Sequence, residues 1–221
     1  MLKTAAQFIS ILFHPLLIPT YMLVLLMIVN PYLFGVHDIS EQNSMLLIIH
    51  TIMNTLVIPA FAILVMKLLG LIKTFEMQDK SERTGPYIIA GIFYLWLFRN
   101  FLDNTNVPLA FTSFLLGATI ALFLAFLLNI FTKISAHAVG MGGLLAMVII
   151  TMFQFSYDTF NLNLWFGTIQ MNMVTVLMIT ILIAGMVGSA RLILKAHIPS
   201  DLYGGYLIGF ASQIFALRFL F

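Results

Sequence analysis

Three short stretches gather the residues able to do chemistry in an otherwise oily chain: "DKSERTGP" at 79–86, "KISAHAVGMGG" at 133–143 and "RLILKAHIPSD" at 191–201. In the last of these, Pro199 suits the first turn of a helix, which leaves His197 just outside that helix and Asp201 one turn within it. The spacing lets the carboxylate reach the imidazole and fix its tautomer. A histidine held in this way is ready to act as base or nucleophile. Arg191 lies six residues before His197 and offers a forked cation suited to phosphate oxygens. The plainer alternative makes Asp201 an ion-pair partner for Lys195 or Arg191.

The other two stretches bring donors and cations. Ser135 and His137 stand at the head of a span rich in small residues, with Gly140, Gly142 and Gly143 allowing close backbone approach. The start of such a helix exposes unpaired N–H groups and the positive end of the dipole, a ready site for an anion. Alternatively, Ser135 only caps the helix and His137 rests at headgroup level. Lys80 and Arg83 lie three apart, so one helical turn points both cations the same way. The competing reading is a charged surface loop with Asp79–Arg83 or Lys80–Glu82 contacts. Taken together, these residues form an anion pocket with a nucleophile inside. No carboxylate cluster stands ready to hold a divalent metal, so neither metal nor cofactor is expected. The chemistry that fits is metal-free phosphoryl transfer.

The elements that must position these groups are membrane helices. Of 221 residues, 62% are hydrophobic and 8% charged, against about 25% charged in a soluble domain. The chain is expected to be one integral-membrane domain, 1–221, built as an all-α polytopic transmembrane helix bundle. A net charge of +2 spread over scattered residues gives no reason to expect nucleic acid, and the absence of cysteine excludes disulfides. The first apolar run is too long for a signal-peptide core and reads as a retained span.

Seven spans are expected, at roughly 5–30, 45–72, 86–103, 107–131, 138–156, 168–190 and 199–220, or six if the short 86–103 segment does not cross. "YDTFNLNLWFG" reads as a loop. With all seven crossing, the three motif loops share one face. Lys3, Lys67, Lys73, Lys80, Arg83, Lys133, Arg191 and Lys195 fall there, and only Arg99 and Arg218 on the other side. The positive-inside rule makes the motif face cytoplasmic, and the bias survives removal of Lys80, Arg83 and Arg191, which an anion site accounts for. His14-Pro15 and the pair His50 and Asn54 read as sources of kinks and interhelical hydrogen bonds rather than as catalytic groups.

The third motif resembles the R-x5-H-x3-D signature of the type 2 phosphatidic acid phosphatases, in the superfamily that includes vanadium haloperoxidases. "ISAH" resembles that family's P-S-G-H, and "KSERTGP" a shortened K-x6-R-P that keeps Lys80, Arg83 and Pro86. The order of motifs matches, and the resemblance covers roughly 75–221. It implies that His197 attacks phosphorus and forms a phosphohistidine, with Asp201 orienting it. It implies further that His137 protonates the leaving oxygen, while Lys80, Arg83, Arg191, Ser135 and a backbone N–H near Ala136 hold the equatorial oxygens. Three departures stand out: the compressed first motif, Ser189 displaced from Arg191 by Ala190, and two extra spans between the first and second motifs.

The function expected is an integral-membrane lipid phosphatase in a bacterial inner membrane. Its substrate would be a phosphatidic acid, phosphatidylglycerophosphate or polyprenyl-phosphate type of lipid. The alternative is a catalytically silent relative serving as a subunit or lipid-binding partner in a larger membrane complex. A transporter fits less well, because the polar residues gather at one interface rather than at mid-membrane.

Overall fold

The computed structural model describes residues 1–36, 39–75, 77, 79–164 and 167–221; the remaining six lie outside the described residues. The chain is helical. Leu2–Leu12 (α1) ends where His14 precedes Pro15, since a residue before proline avoids the helical region and proline has no N–H to continue the ladder. His14 is extended, Pro15–Leu17 form a single 3-10 turn, and Ile18–Val29 (α2) resumes the helix. The expected first span is therefore broken in its middle.

Gln42–Ile52 (α3) continues through a π turn, Met53–Val57, into Ile58–Leu68 (α4). Pro59 cannot donate to the carbonyl four residues back, and the wider turn absorbs that loss. Thr84–Leu102 (α5) and Leu109–Phe131 (α6) follow. Ala136–Ile150 (α7) runs into a second π turn, Thr151–Phe155. Met173–Ile193 (α8) and Pro199–Leu220 (α9) complete the bundle.

Five segments are long and apolar enough to cross a membrane: Leu2–Val29, Gln42–Leu68, Leu109–Phe131, Ala136–Phe155 and Met173–Ile193. That is consistent with an integral membrane protein. Of the seven expected spans, α5 and α9 have the length but not the same apolar character. Arg99 and Asn100 dilute α5, and Asp201, Gln213 and Arg218 dilute α9.

One expectation is corrected. The stretch read as a loop holds an antiparallel hairpin, Thr159–Leu164 (β1) with Gly167–Asn172 (β2), paired from Thr159 opposite Asn172 to Leu164 opposite Gly167. "TFNLNL" alternates side chains with the period of a strand, and Gly167 takes a positive φ of 146° at the turn. The following helix consequently starts at Met173 rather than 168, capped by Asn172, whose side chain accepts from the Thr175 N–H at 2.8 Å.

The bundle centre is filled by Met22, Leu23, Leu26, Phe111, Phe114, Leu115, Met141 and Met147, all sealed from the outside. Against it, α7 and α9 meet backbone to backbone. A Cβ on Gly205 would lie 2.8 Å from Ala138 Cβ and 2.9 Å from the Ser135 carbonyl, and one on Gly209 would strike the Val139 carbonyl. These glycines let the head of α7 sit directly against the head of α9. From the π turn, Asn54 donates to the His50 carbonyl of α3 at 2.8 Å, along the same helical segment and not across helices. The His50 ring packs edge-on against Phe101 and Trp96 of α5.

Candidate active site

The three motif loops converge at one end of the bundle. Ser135 N–H donates to the Asp201 carbonyl at 3.3 Å, joining the second motif to the third. Arg83 Nη1 donates to the Ile134 carbonyl at 3.2 Å, joining the first to the second, while its Nε donates to the Met77 carbonyl at 2.8 Å. Lys80 reaches the same connection from further out: its exposed Nζ donates to the Phe131 carbonyl at 3.0 Å, and its own carbonyl accepts from Asn129 at 2.9 Å. Arg83 is 8% exposed, so a buried cation faces the pocket and an exposed one stands at its edge. The acidic residues of this loop turn elsewhere. Asp79 pairs with Lys73 at 3.6 Å, and Glu82 accepts from the Lys73 N–H at 3.2 Å.

His197 and Asp201 form the pair that their spacing predicts. His197 Nδ1 lies 3.1 Å from Asp201 Oδ2, and the same oxygen accepts the Ile198 N–H at 3.3 Å. A carboxylate can only accept, so the proton sits on Nδ1 and the Nε2 lone pair is left as the nucleophilic position. Both residues are buried, at 7% and 9% exposure. Burial first of all pushes the imidazole down to about 4; the Asp201 bond opposes this, and the cations of Arg83, Arg191 and Lys133 reinforce it. The ring is therefore neutral at pH 7, as a nitrogen nucleophile must be. Asp201 also lies in the first turn of α9, where the helix dipole favours its charge.

Around this pair the balance is positive. Arg83, Arg191 and Lys133 all act on His197, with Asp201 as the carboxylate among them. Burial pulls the Lys133 ammonium down, helped by the charges of Arg83 and Arg191 and opposed by Asp201 and Asp79. Such an assembly is built to receive an anion. Among the described residues no group of three His, Cys, Asp or Glu is placed to hold a metal ion.

On the α7 side, Ser135 is fully buried and caps the helix, its Oγ accepting from the Ala138 N–H at 3.4 Å. The N–H groups of Ala136 and His137 head the helix, beyond reach of any intrahelical carbonyl. His137 Nε2 donates to the Ser10 carbonyl of α1 at 2.9 Å, which leaves its Nδ1 as the free lone pair. His137 lies within electrostatic reach of both Arg191 and His197. An apolar cleft beside these residues is lined by Pro15, Leu16, Tyr87, Leu122, Ala136 and Gly140, among others.

The fold thus brings His197, Asp201, Arg83, Arg191, Ser135, Ala136 and His137 into one region, with Lys80 at its edge. Two further residues join them that the sequence reading left aside. Lys133 was legible as part of "KISAH" but was counted only as a charge. His14 was read as a kink residue, yet its ring stands edge-on to His137, centroids 5.4 Å apart. No protein-family model, no curated protein and no solved structure matches the chain.

Proposed function

We propose that the protein is an integral-membrane phosphatase of the type 2 phosphatidic acid phosphatase kind, acting on a lipid phosphate monoester or pyrophosphate. The observation that carries this is the buried His197–Asp201 pair among three cations. His197 Nε2 attacks phosphorus, a P–N bond forms, and the bond from phosphorus to the leaving oxygen breaks. The leaving oxygen takes the proton carried on the substrate's phosphate monoanion, and Nδ1–H stays with Asp201. Water then adds to phosphorus, its proton passes to His137 Nδ1 and on to a phosphate oxygen, and the P–N bond breaks to give phosphate and the neutral imidazole. Arg83, Arg191, Lys133, Ser135 and the heading N–H groups of α7 stabilise charge on the equatorial oxygens throughout. His137 Nδ1 is the lone pair available to accept the proton of the attacking water.

A lipid substrate is supported by the apolar cleft that shares Pro15 and Ala136 with the surroundings of the site. Seven crossings, with the motif face cytoplasmic in a bacterial inner membrane, complete the reading. Exposed apolar side chains on α5 (Ile92, Trp96) and α9 (Leu207, Phe215, Phe219) support their crossing as well. One arrangement favours a second reading, a silent relative acting as a subunit or lipid-binding partner. Arg83 and His137 both give donors to main-chain carbonyls rather than keeping them all for a substrate.

Phosphate release from lipid phosphates by detergent-solubilised protein separates the two. Turnover that resists chelators and disappears in a folded His197→Ala variant is expected. Equal rates in wild type and variant overturn the enzyme.

A further inference from the structure

His14 stands within the apolar segment Leu2–Val29, where a polar ring is costly and needs a reason. Part of the reason is local. The residue is extended (φ −64°, ψ 138°) and caps the 3-10 turn, Nδ1 accepting the Leu16 N–H at 3.3 Å. That bond explains one ring nitrogen only. Because Nδ1 accepts, the proton of the neutral ring sits on Nε2, across the ring and pointing away from the turn. A serine or asparagine would have capped equally well. The imidazole adds a second, outward donor.

The ring itself lies beside the residues of the pocket. The ring meets His137 edge-on at 5.4 Å and 83°, and the charge of Arg191 acts on both rings. The same short segment fixes the other histidine, since Ser10 accepts the His137 Nε2–H at 2.9 Å. His14 is half-buried.

We propose that His14 donates its Nε2–H to a non-bridging oxygen of the phosphate bound in this pocket, which makes the break between α1 and α2 part of the anion site. This rests on the phosphate-pocket reading above. The motif loops therefore supply only part of the cup, and the N-terminal segment closes it.

The test uses the full chain in detergent with inorganic phosphate as probe, reading binding by calorimetry alongside lipid phosphate hydrolysis. His14→Phe keeps an edge-on aromatic ring and removes the donor; His14→Gln keeps an N–H near the Nε2 position. A hydrogen bond to a charged oxygen gives an expected loss of roughly 10- to 100-fold in phosphate affinity for His14→Phe. His14→Gln should stay within about threefold of wild type on the same scale. Phosphate should also shift the Nε2–H resonance of His14 in histidine-labelled wild type, a readout that needs no variant. Wild-type affinity in His14→Phe, with Arg191→Gln binding weakly, sinks the role of His14 and leaves the pocket standing, as does an unmoved His14 resonance in wild type that binds phosphate. A wild type that neither binds nor hydrolyses any phosphate removes the pocket reading, and this proposal with it.

Discussion

Ser135 N–H donates to the carbonyl oxygen of Asp201 at 3.3 Å, so the head of α7 is tied to the head of α9 at the residue that orients His197. The cap of one helix and the acid of the other form one unit, and substitutions on either side act on the same imidazole.

Asp201→Asn tests that unit most directly. The amide keeps the shape but can present N–H to Nδ1, which shifts the ring proton to Nε2 and removes the nucleophilic lone pair. Phosphate release should fall by about 10²- to 10⁴-fold, the scale of such a change in a histidine–carboxylate pair, while the melting profile changes little. A rate within threefold of wild type contradicts the assigned tautomer.

The pH profile follows from His197. Its folded value of about 4 lies below the ordinary 6.5, so the folded protein binds fewer protons than the unfolded chain between these values. Stability therefore rises with pH across that window and is lost as pH falls through it, by roughly 3 kcal/mol in all. The acid limb of activity should lie near pH 4. Arg83→Gln removes a neighbouring cation and should move the limb to higher pH. A limb fixed near 6.5 in both proteins contradicts the cause assigned here.

The first motif's two cations should be unequal. Arg83 is buried and bonded to Ile134 beside the pocket, whereas Lys80 is exposed and bonded to Phe131. Arg83→Gln should cut phosphate release by about 100-fold or more, the scale of losing a preorganised donor. Lys80→Gln should cost less than about threefold, as expected for an exposed charge. Equal losses would show that the compressed motif still delivers both.

The glycine seam makes a stability prediction. Gly209→Ala puts a methyl group against the Val139 carbonyl, and main chain cannot swing aside as a side chain can. The detergent melting temperature should drop sharply. Gly185→Ala, on α8 with nothing within 4 Å, is the control. It should be neutral or stabilising by up to about 1 kcal/mol through helix propensity.

Topology can be read in a chain with no native cysteine. If all seven segments cross, Thr105→Cys is labelled by an impermeant thiol reagent on intact cells, and Lys195→Cys only after permeabilisation. The same response at both positions removes the odd number of crossings between them that this reading requires.

Much of the site was legible because it depends on short spacings. The separation of four between His197 and Asp201, and the proline at the head of α9, dictate a contact that the fold only has to leave undisturbed. Gly140, Gly142 and Gly143 likewise announce a helix that a neighbour can approach closely. What was not legible depends on distance in the chain. Nothing near His14 says that its ring meets a residue more than a hundred positions away, since the direction of the chain after a helix break is set by tertiary packing. The hairpin at Thr159–Asn172 was overlooked for another reason: its period-two pattern is short and sits among long apolar runs that dominate the signal.

Main chain pressed on main chain leaves no slack. Sliding α7 along α9 would drive carbonyls into the facing backbone at Gly205 and Gly209, so the heads of these two helices keep one register. If the pocket turns over a lipid phosphate as proposed, any movement has to come from parts held by side-chain hydrogen bonds instead: the 3-10 turn after His14, with Tyr94 on Pro15, and the residues around Arg83 and Lys80, bonded to Ile134 and Phe131.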